Sequence, residues 1–420
     1  MVDHVEHRQQ VKWLMIEVSE AVAVIARESR PLEVQSLPLA ETLGLVLAED
    51  VRSDWDSPPF DKSVVDGFAV RCEDVRSPLP VLEVVSAGQV PSRALDQPAT
   101  IQIMTGAPLP AGAEAVVPIE LTKSRTGSNG TILIEFPPDV ATWKVGTNIV
   151  RRGASTRKGD LVVAAGSQLR PQELGALAEL GRVQLNVRRR PQVAVLATGD
   201  ELVPIEQVPG PGQIRNSNET MLCAQIQRAG ATPVPLGIAR DERVHLRERI
   251  QAGLQADVFV LSGGVSMGDR DFVPSELAAA GVRQIVHKVN LKPGKPLWFG
   301  IFDKGNRERT LVFGLPGNPV SSFVCFELFV RTALRKMMGV EPAEPNPVQA
   351  RLTQPHTTKG ERPTYQPSRL EWINDGPVVT AVPWVGSSDL RAIVSANAMA
   401  IFPVGNQTYA AGTRIDVIEW

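Results

Sequence analysis

A multidomain α/β plus all-β architecture is predicted for this chain of 420 residues, and three observations predict it. Between Arg190 and Met338, short β-favouring apolar runs alternate with segments of helical period, the pattern of an open α/β sheet. From about Asp50 to Asn148 the chain is rich in Pro and Gly and carries only short β runs. After the linker Pro342 to Pro347, with its three prolines, five short β patterns follow. The length alone predicts about three domains.

In chain order, Val18, Ala21, Val22 and Ile25 recur at helical spacing and predict a helix over 17–29. Ala40 to Gly44 reads as a second short helix and Leu45 to Ala48 as the start of a strand. Thr126-Gly127-Ser128-Asn129-Gly130 between two apolar runs is a hairpin signal. Pro171 and Gly181 bracket a helix over Gln172–Leu180, following the Pro-first, Gly-last asymmetry of helices. The expected domains are 8–48 with 149–188 as a split N-terminal α+β domain, 49–148 as a β-rich insertion, 189–340 as the α/β domain and 346–420 as a C-terminal β domain. In the α/β part, strands are expected at Val193–Ala197, Val234–Ala239, Val258–Leu261, Ile285–Val289, Leu297–Phe302 and Leu311–Phe313. Helices are expected at 218–229, 242–255, 272–280 and 319–338. The C-terminal patterns fit a small barrel or a sandwich.

Lys plus Arg number 44 and Asp plus Glu 46, with no long basic block. That balance argues against nucleic acid as the main partner. Cys72, Cys223 and Cys325 stand far apart, which excludes a local zinc site and a disulfide framework and fits a reducing compartment. The first residues lack the apolar core of a signal peptide, and no run approaches the ~18 apolar residues of a membrane span. The expectation is a soluble, cytoplasmic chain that engages no membrane.

Ligands of open α/β sheets gather beyond the carboxyl ends of the strands, and four loops there carry unusual chemistry. Thr198-Gly199-Asp200-Glu201 follows the first strand, and Arg240-Asp241-Glu242 follows the second. Ser262-Gly263-Gly264-Val265-Ser266-Met267-Gly268-Asp269-Arg270-Asp271 follows the third, where glycines and serines let backbone N–H groups approach an anion. Gly314-Leu315-Pro316-Gly317-Asn318-Pro319 opens a helix, with Asn318 placed to cap it and Pro319 in its first turn. Glu201, Asp241 and Asp271 on one sheet edge would repel one another without a cation, and hard oxygens beside phosphates point to Mg²⁺. Three separate helix caps are the competing reading. Lys288, Asn290 and Lys292 alternate with Val289 and Leu291, so an extended strand would present them on one face. With Lys295 they form either an oxyanion site or a guarded sheet edge. No Gly-x-Gly-x-x-Gly follows the first strand and no Walker lysine is present.

The segments Phe60–Val70, Met104–Pro110, Thr198–Leu202, Ser262–Asp271, Lys292–Pro296 and Gly314–Ser321 occur in this order over almost the whole chain. Together with Gly360-Glu361-Arg362-Pro363 and Gly386-Ser387-Ser388-Asp389-Leu390, they resemble the molybdopterin molybdenumtransferase family, bacterial MoeA and the E domain of gephyrin. The resemblance implies a MoeA-like fold: a central doubly wound α/β domain that binds molybdopterin, with the C-terminal domain a small barrel. It implies a homodimer whose site is shared between subunits. It also implies insertion of molybdenum from molybdate into adenylylated molybdopterin with release of AMP, dependent on Mg²⁺.

On that resemblance, Asp61 and Thr105 approach from the partner subunit. Glu201, Asp241 and Asp271 serve the metal and the hydrolysis. Ser262, Gly263, Gly264 and Ser266, with Pro316, Gly317, Asn318 and Pro319, line the pterin-nucleotide cleft. Lys288, Lys292 and Lys295 contact anions, with Arg362 and Ser387 nearby. One departure stands out: after Arg151-Arg152-Gly153 many members continue with Glu-Asp, whereas this chain has Ala154-Ser155-Thr156. The competing reading it motivates is a molybdopterin-binding scaffold with reduced turnover.

Overall fold

The structure, a computed structural model, describes residues 15–240, 242–264, 272–305 and 308–420. They fall into two compact units. One comprises the chain up to Ala48, Gly166–Leu169 and Leu185–Trp420; the other comprises Glu49–Ala165 and Arg170–Gln184.

The first unit is organised around a six-stranded sheet. Its strands are β1 (Gln192–Thr198), β2 (Thr232–Ala239), β3 (Val258–Ser262), β4 (Arg283–His287), β5 (Trp298–Gly305) and β6 (Glu308–Leu315), in the spatial order β2-β1-β3-β6-β5-β4. The pairs β2–β1, β1–β3 and β3–β6 are parallel, while β5 and β4 add on antiparallel. Strand side chains alternate between faces, and the sheet therefore has two cores. Val193, Val195, Val258, Val260, Phe313 and Leu315 pack with α1 (Val18–Glu28), α2 (Ser217–Arg228) and the helical run 319–337. Ala194, Leu196, Phe259, Leu261 and Val312 pack with α3 (Arg243–Gly253) and α4 (Val273–Ala279). Apolar residues on both faces of β1 and β3 account for the unbroken hydrophobic runs in the sequence.

Three local expectations need correcting. The strand expected at Ile285–Val289 ends at His287, because Lys288 turns to φ +70°, outside the extended region. The short helix near Ala40 is a 3₁₀ turn, Leu39–Glu41. The long helix expected over 319–338 is continuous in direction but contains a π turn at Phe326–Val330, where the N–H of Arg331 reaches the carbonyl of Phe326.

At the C-terminal end of the same unit, Val348–Leu352, Gly376–Ala381, Thr364–Ile373, Ala398–Phe402 and Arg414–Glu419 close into a five-stranded barrel. Ala350, Leu370, Val379, Phe402 and Val417 fill it. Full closure removes the exposed edges a sandwich would leave.

The second unit holds a six-stranded sheet in the order Ala115–Pro118, Gly67–Val70, Thr100–Ile103, Leu79–Val85, Ile132–Glu135 and Lys123–Thr126. The predicted hairpin joins the last two, with Thr126 paired to Ile132 and Gly130 at φ +82°. The helix Pro171–Glu179 belongs to this unit.

Candidate active site

The parallel pairings set the site's frame. Ala197 lies opposite Ser262, Thr198 opposite Ala239, and Ser262 opposite Leu315, so three of the four chemically unusual loops leave one sheet edge side by side, with the Arg240 loop next to them. Gly263 and Gly264 turn to φ +95° and +64°. A Cβ on Gly263 would meet the Thr198 carbonyl at 2.6 Å, and one on Gly264 would meet Thr198 Oγ1 at 2.8 Å. Close approach of backbones and positive φ both require glycine here. The nearest atom to a Cβ on Gly317 is the Cα of Gly263, at 3.6 Å. The two glycine loops therefore meet main chain to main chain, with Gly263 buried at the contact, Gly264 half-buried and Gly317 exposed.

Glu201 is exposed at the same edge, its carboxylate folded back over Gly199, whose Cβ would meet the oxygens at 2.4 and 2.6 Å. Arg240 ties this turn down by donating to the carbonyls of Asp200 and Leu202 at 3.0 and 3.3 Å. Asp241, Ser266 and Asp271, like Asp269, lie outside the described residues. Among the described residues no group of three or more metal-ligating side chains converges. As a hard oxygen donor at the strand ends, the Glu201 carboxylate fits a divalent cation such as Mg²⁺.

Asn318 occupies the N-cap position and Pro319 the first turn of α5 (Pro319–Cys325), as the spacing predicts. The Asn318 side chain makes no capping bond, however. The Ser322 hydroxyl donates to the Pro316 carbonyl, and the Val320 N–H donates to Ser387 O at 3.0 Å. Ser387 is thus brought to the loop at 316–319.

Lys292 is joined to the segment carrying Arg362. The Lys292 N–H donates to Pro363 O, Lys292 Nζ to Lys359 O at 3.2 Å, and Arg362 Nη1 to Leu291 O at 2.8 Å. Lys292 lines a cavity of about 430 Å³ together with Lys359, His356, Thr358 and Trp384. Val289 and Leu291 are buried as the alternation predicts, although Lys288 breaks the strand. Lys295 is exposed on the same loop.

In the second unit, the two expected loops are zipped together: Leu109 N–H donates to Asp61 O and Gly106 N–H to Ser63 O. Asp61 accepts from the Arg152 N–H at 2.7 Å and from Arg151 Nη1 at 2.6 Å. The Arg152 N–H, and after it the Arg151 guanidinium, hold its carboxyl below the usual carboxylate range. Thr105 donates through both its N–H and its hydroxyl to Asp66 Oδ1, at 2.7 and 2.8 Å. These bonds, the N–H first, hold Asp66 low as well. Asp66 was not singled out from the sequence, yet it orients Thr105; its place in Val65-Asp66-Gly67 ahead of a strand was the available signal.

Asn218 was also missed. Its Nδ2 donates to Ser262 Oγ and to Gly317 O, each at 2.7 Å. Thr198 Oγ1 and Asn218 Oδ1 are buried without a hydrogen-bond partner among the described residues. A run of Asn-Ser-Asn-Glu at a helix start on the ligand edge was the signal.

A larger cavity of about 840 Å³ opens at the opposite, amino-terminal edge of the sheet, where Gln192 begins β1 and Asp257 immediately precedes β3. Several of its charges are paired with one another, Arg189 with Glu33 and Asp257, and Arg309 with Glu28. Paired charges at strand starts act as structural anchors.

Comparison with known proteins bears on this arrangement. Three family models match in order: the MoeA N-terminal region (domain I and II) over residues 16–181, a probable molybdopterin binding domain over 194–336, and the MoeA C-terminal region (domain IV) over 349–420. A protein of Staphylococcus aureus (strain COL) named molybdopterin molybdenumtransferase is 31% identical over 414 residues, covering 96% of this chain and 95% of its own.

The chain belongs to the molybdopterin molybdenumtransferase (MoeA) family.

A relative from Staphylococcus epidermidis with the same name is 32% identical over equal shares of both chains. The crystal structure of the molybdopterin biosynthesis MoeA protein from Pyrococcus horikosii superimposes with a TM-score of 0.78 at 31% identity, covering 97% of this chain and 99% of that one. The family fold expected from the sequence is therefore the fold observed. Among the described residues no helix is long and apolar enough to cross a membrane.

Proposed function

We propose that this protein inserts molybdenum from molybdate into adenylylated molybdopterin and releases AMP, with Mg²⁺ as its cation. The observation that carries this reading is the single row of strand ends at which the Gly263–Gly264 and Pro316–Pro319 loops meet main chain to main chain. Glycine main chain beside a helix start suits the phosphates of a nucleotide ester. Lys292, with Arg362 beside it and Lys288 and Lys295 on the same loop, provides cationic partners for molybdate, an oxyanion.

In this reading the main chain at Gly264 and Gly317 fixes the pyrophosphate, Gly263, whose N–H donates to Leu315 O, shapes the turn, and Ser262 with Ser266 orients it. Ser387 supports the helix start where Asn318 and Pro319 stand. Glu201, Asp241 and Asp271 would hold Mg²⁺, which when bound supplies charge neutralisation for the leaving phosphate. Asp61 and Thr105 lie in the other compact unit, and a second copy of the chain supplies them. Arg151 and Arg152 keep Asp61 ionised for that role, and Asp66 fixes the Thr105 hydroxyl.

The test is incubation with adenylylated molybdopterin, molybdate and graded Mg²⁺ while AMP is measured. Release that needs both molybdate and Mg²⁺ supports the reading; intact pterin nucleotide after incubation refutes it. Ser155 favours one alternative, a scaffold of the same family that binds the pterin nucleotide without turning it over. Stoichiometric binding with no AMP would select that alternative.

A further inference from the structure

We propose that Asn218 is the positioning residue that sets the two glycine loops of this site in register and aims the Ser262 hydroxyl. The inference rests on the function proposed above and adds a residue to it. Two acceptors converge on one nitrogen: Ser262 Oγ and Gly317 O both lie 2.7 Å from Asn218 Nδ2. One nitrogen serves both only if it carries two protons, and a primary amide on a short side chain meets that requirement. Aspartate offers only acceptors there, serine a single proton, and glutamine overshoots by one methylene.

The donation to Ser262 has a consequence for the hydroxyl. Its oxygen is already an acceptor, so its own proton is left to be donated, and it has no acceptor among the described residues. An O–H that accepts from an amide is also a polarised, stronger donor. Ser262 is 2% exposed, at the end of β3, so the oxygen that carries this proton is held in one place by a rigid strand. The bond to Gly317 O works on the other loop. It fixes the peptide plane between Gly317 and Asn318 at the start of α5, beside the point where Gly317 approaches Gly263. One side chain, held in the first turn of α2 behind the Asn216 cap, thereby joins three elements.

The experiment measures AMP release against the concentration of adenylylated molybdopterin in wild type, Asn218→Ala, Ser262→Ala and the double variant, with thermal midpoints in parallel. Loss of outer positioning groups costs about 10–100-fold, and loss of uniform binding appears in KM with kcat retained. Asn218→Ala is expected to raise KM at least tenfold on that scale, with kcat within a few-fold of wild type. Because Asn218 acts in part through Ser262, its removal from the Ser262→Ala background should cost markedly less than from wild type. Asn218→Ser replaces Asn218→Ala if the latter fails to fold.

Additive effects, or a lowered midpoint with unchanged KM, would reduce Asn218 to a structural residue and overturn the proposal. A wild type that releases no AMP overturns the proposed function and this inference together. A wild type that turns over, beside a variant with unaltered KM, overturns this inference alone.

Discussion

At Asp61 a carboxylate takes one backbone N–H and one guanidinium, which depress its pKa. A depressed folded-state pKa contributes stability above the unfolded value and loses it as pH falls through the folded value. Thermal midpoints measured from about pH 7 to about pH 2 should therefore decline more steeply for wild type than for Asp61→Asn at the acid end, with wild type higher at neutral pH. Parallel acid limbs would show that the bonds contribute nothing. The Ala154-Ser155-Thr156 turn is held by N–H donation from Ser155 and Thr156 to Ser57 O, at 2.9 and 3.1 Å. The Ser57 hydroxyl in turn donates to Glu179 Oε1 at 2.6 Å, so a carboxylate already stands beside that turn. Ser155→Asp is accordingly expected to raise AMP release by about tenfold or less, the scale of an outer orienting group; a gain of a hundredfold would identify wild type as the impaired scaffold. Residue type and strand position made Gly263, Gly264 and Ser262 legible in the sequence, since backbone approach demands glycine. Asn218 and Asp66 were hidden because their partners lie 44 and 39 positions away, a spacing no local pattern encodes.

Elements with strong periodicity were legible almost to the residue: α1, the first three sheet strands and the helix Pro171–Glu179 begin and end within one or two positions of expectation. The misses have a common cause, since backbone turns set by tertiary contacts carry no periodic signature. Lys288 at φ +70° ends β4, and the N–H bonds from Lys288 to Leu297 O and from Val289 to Lys295 O close the lysine loop. The π turn at Phe326–Val330 is another, and Glu327 within it shows what it accommodates. Its side chain is fully buried and receives Gln225 Nε2 at 2.7 Å, Arg331 Nη1 at 3.0 Å, and Arg228. This cluster fastens α2, which carries Asn218, to the helical run behind the site. Removing one partner of a buried pair costs about 3–5 kcal/mol because the remaining charge stays desolvated. Both arginines here are partly exposed, so Glu327→Ala is expected at the lower end, about 3 kcal/mol by denaturant titration. A change below about 1 kcal/mol, the value of a surface pair, would show that solvent already screens the cluster.

For the whole molecule, the proposed function asks Asp61 and Thr105, which belong to one compact unit, to serve a cleft built in the other. The order of motifs along the chain made the family and its fold legible, but order carries no information on which copy of a domain faces which cleft. A two-fold dimer places the same patch of each copy against the other, and two composite sites then arise, each with its cleft from one chain and its Asp61 from the partner. This has a consequence that a site formed within one chain lacks. Let one chain carry Asp61→Ala and the other Asp271→Ala. In the mixed dimer, one site collects both lesions, and the other combines an intact cleft with an intact Asp61. Each homodimer is dead at both sites, so AMP release should return only on mixing. At random exchange half the dimers are mixed and each has one working site, giving about a quarter of wild-type turnover for two-fold assembly. Differently tagged chains allow the mixed dimer to be purified, where the expected value rises to about half. If purified mixed dimers stay as inactive as the parents, the site is completed within a single chain, and the assignment of Asp61 and Thr105 to the partner falls.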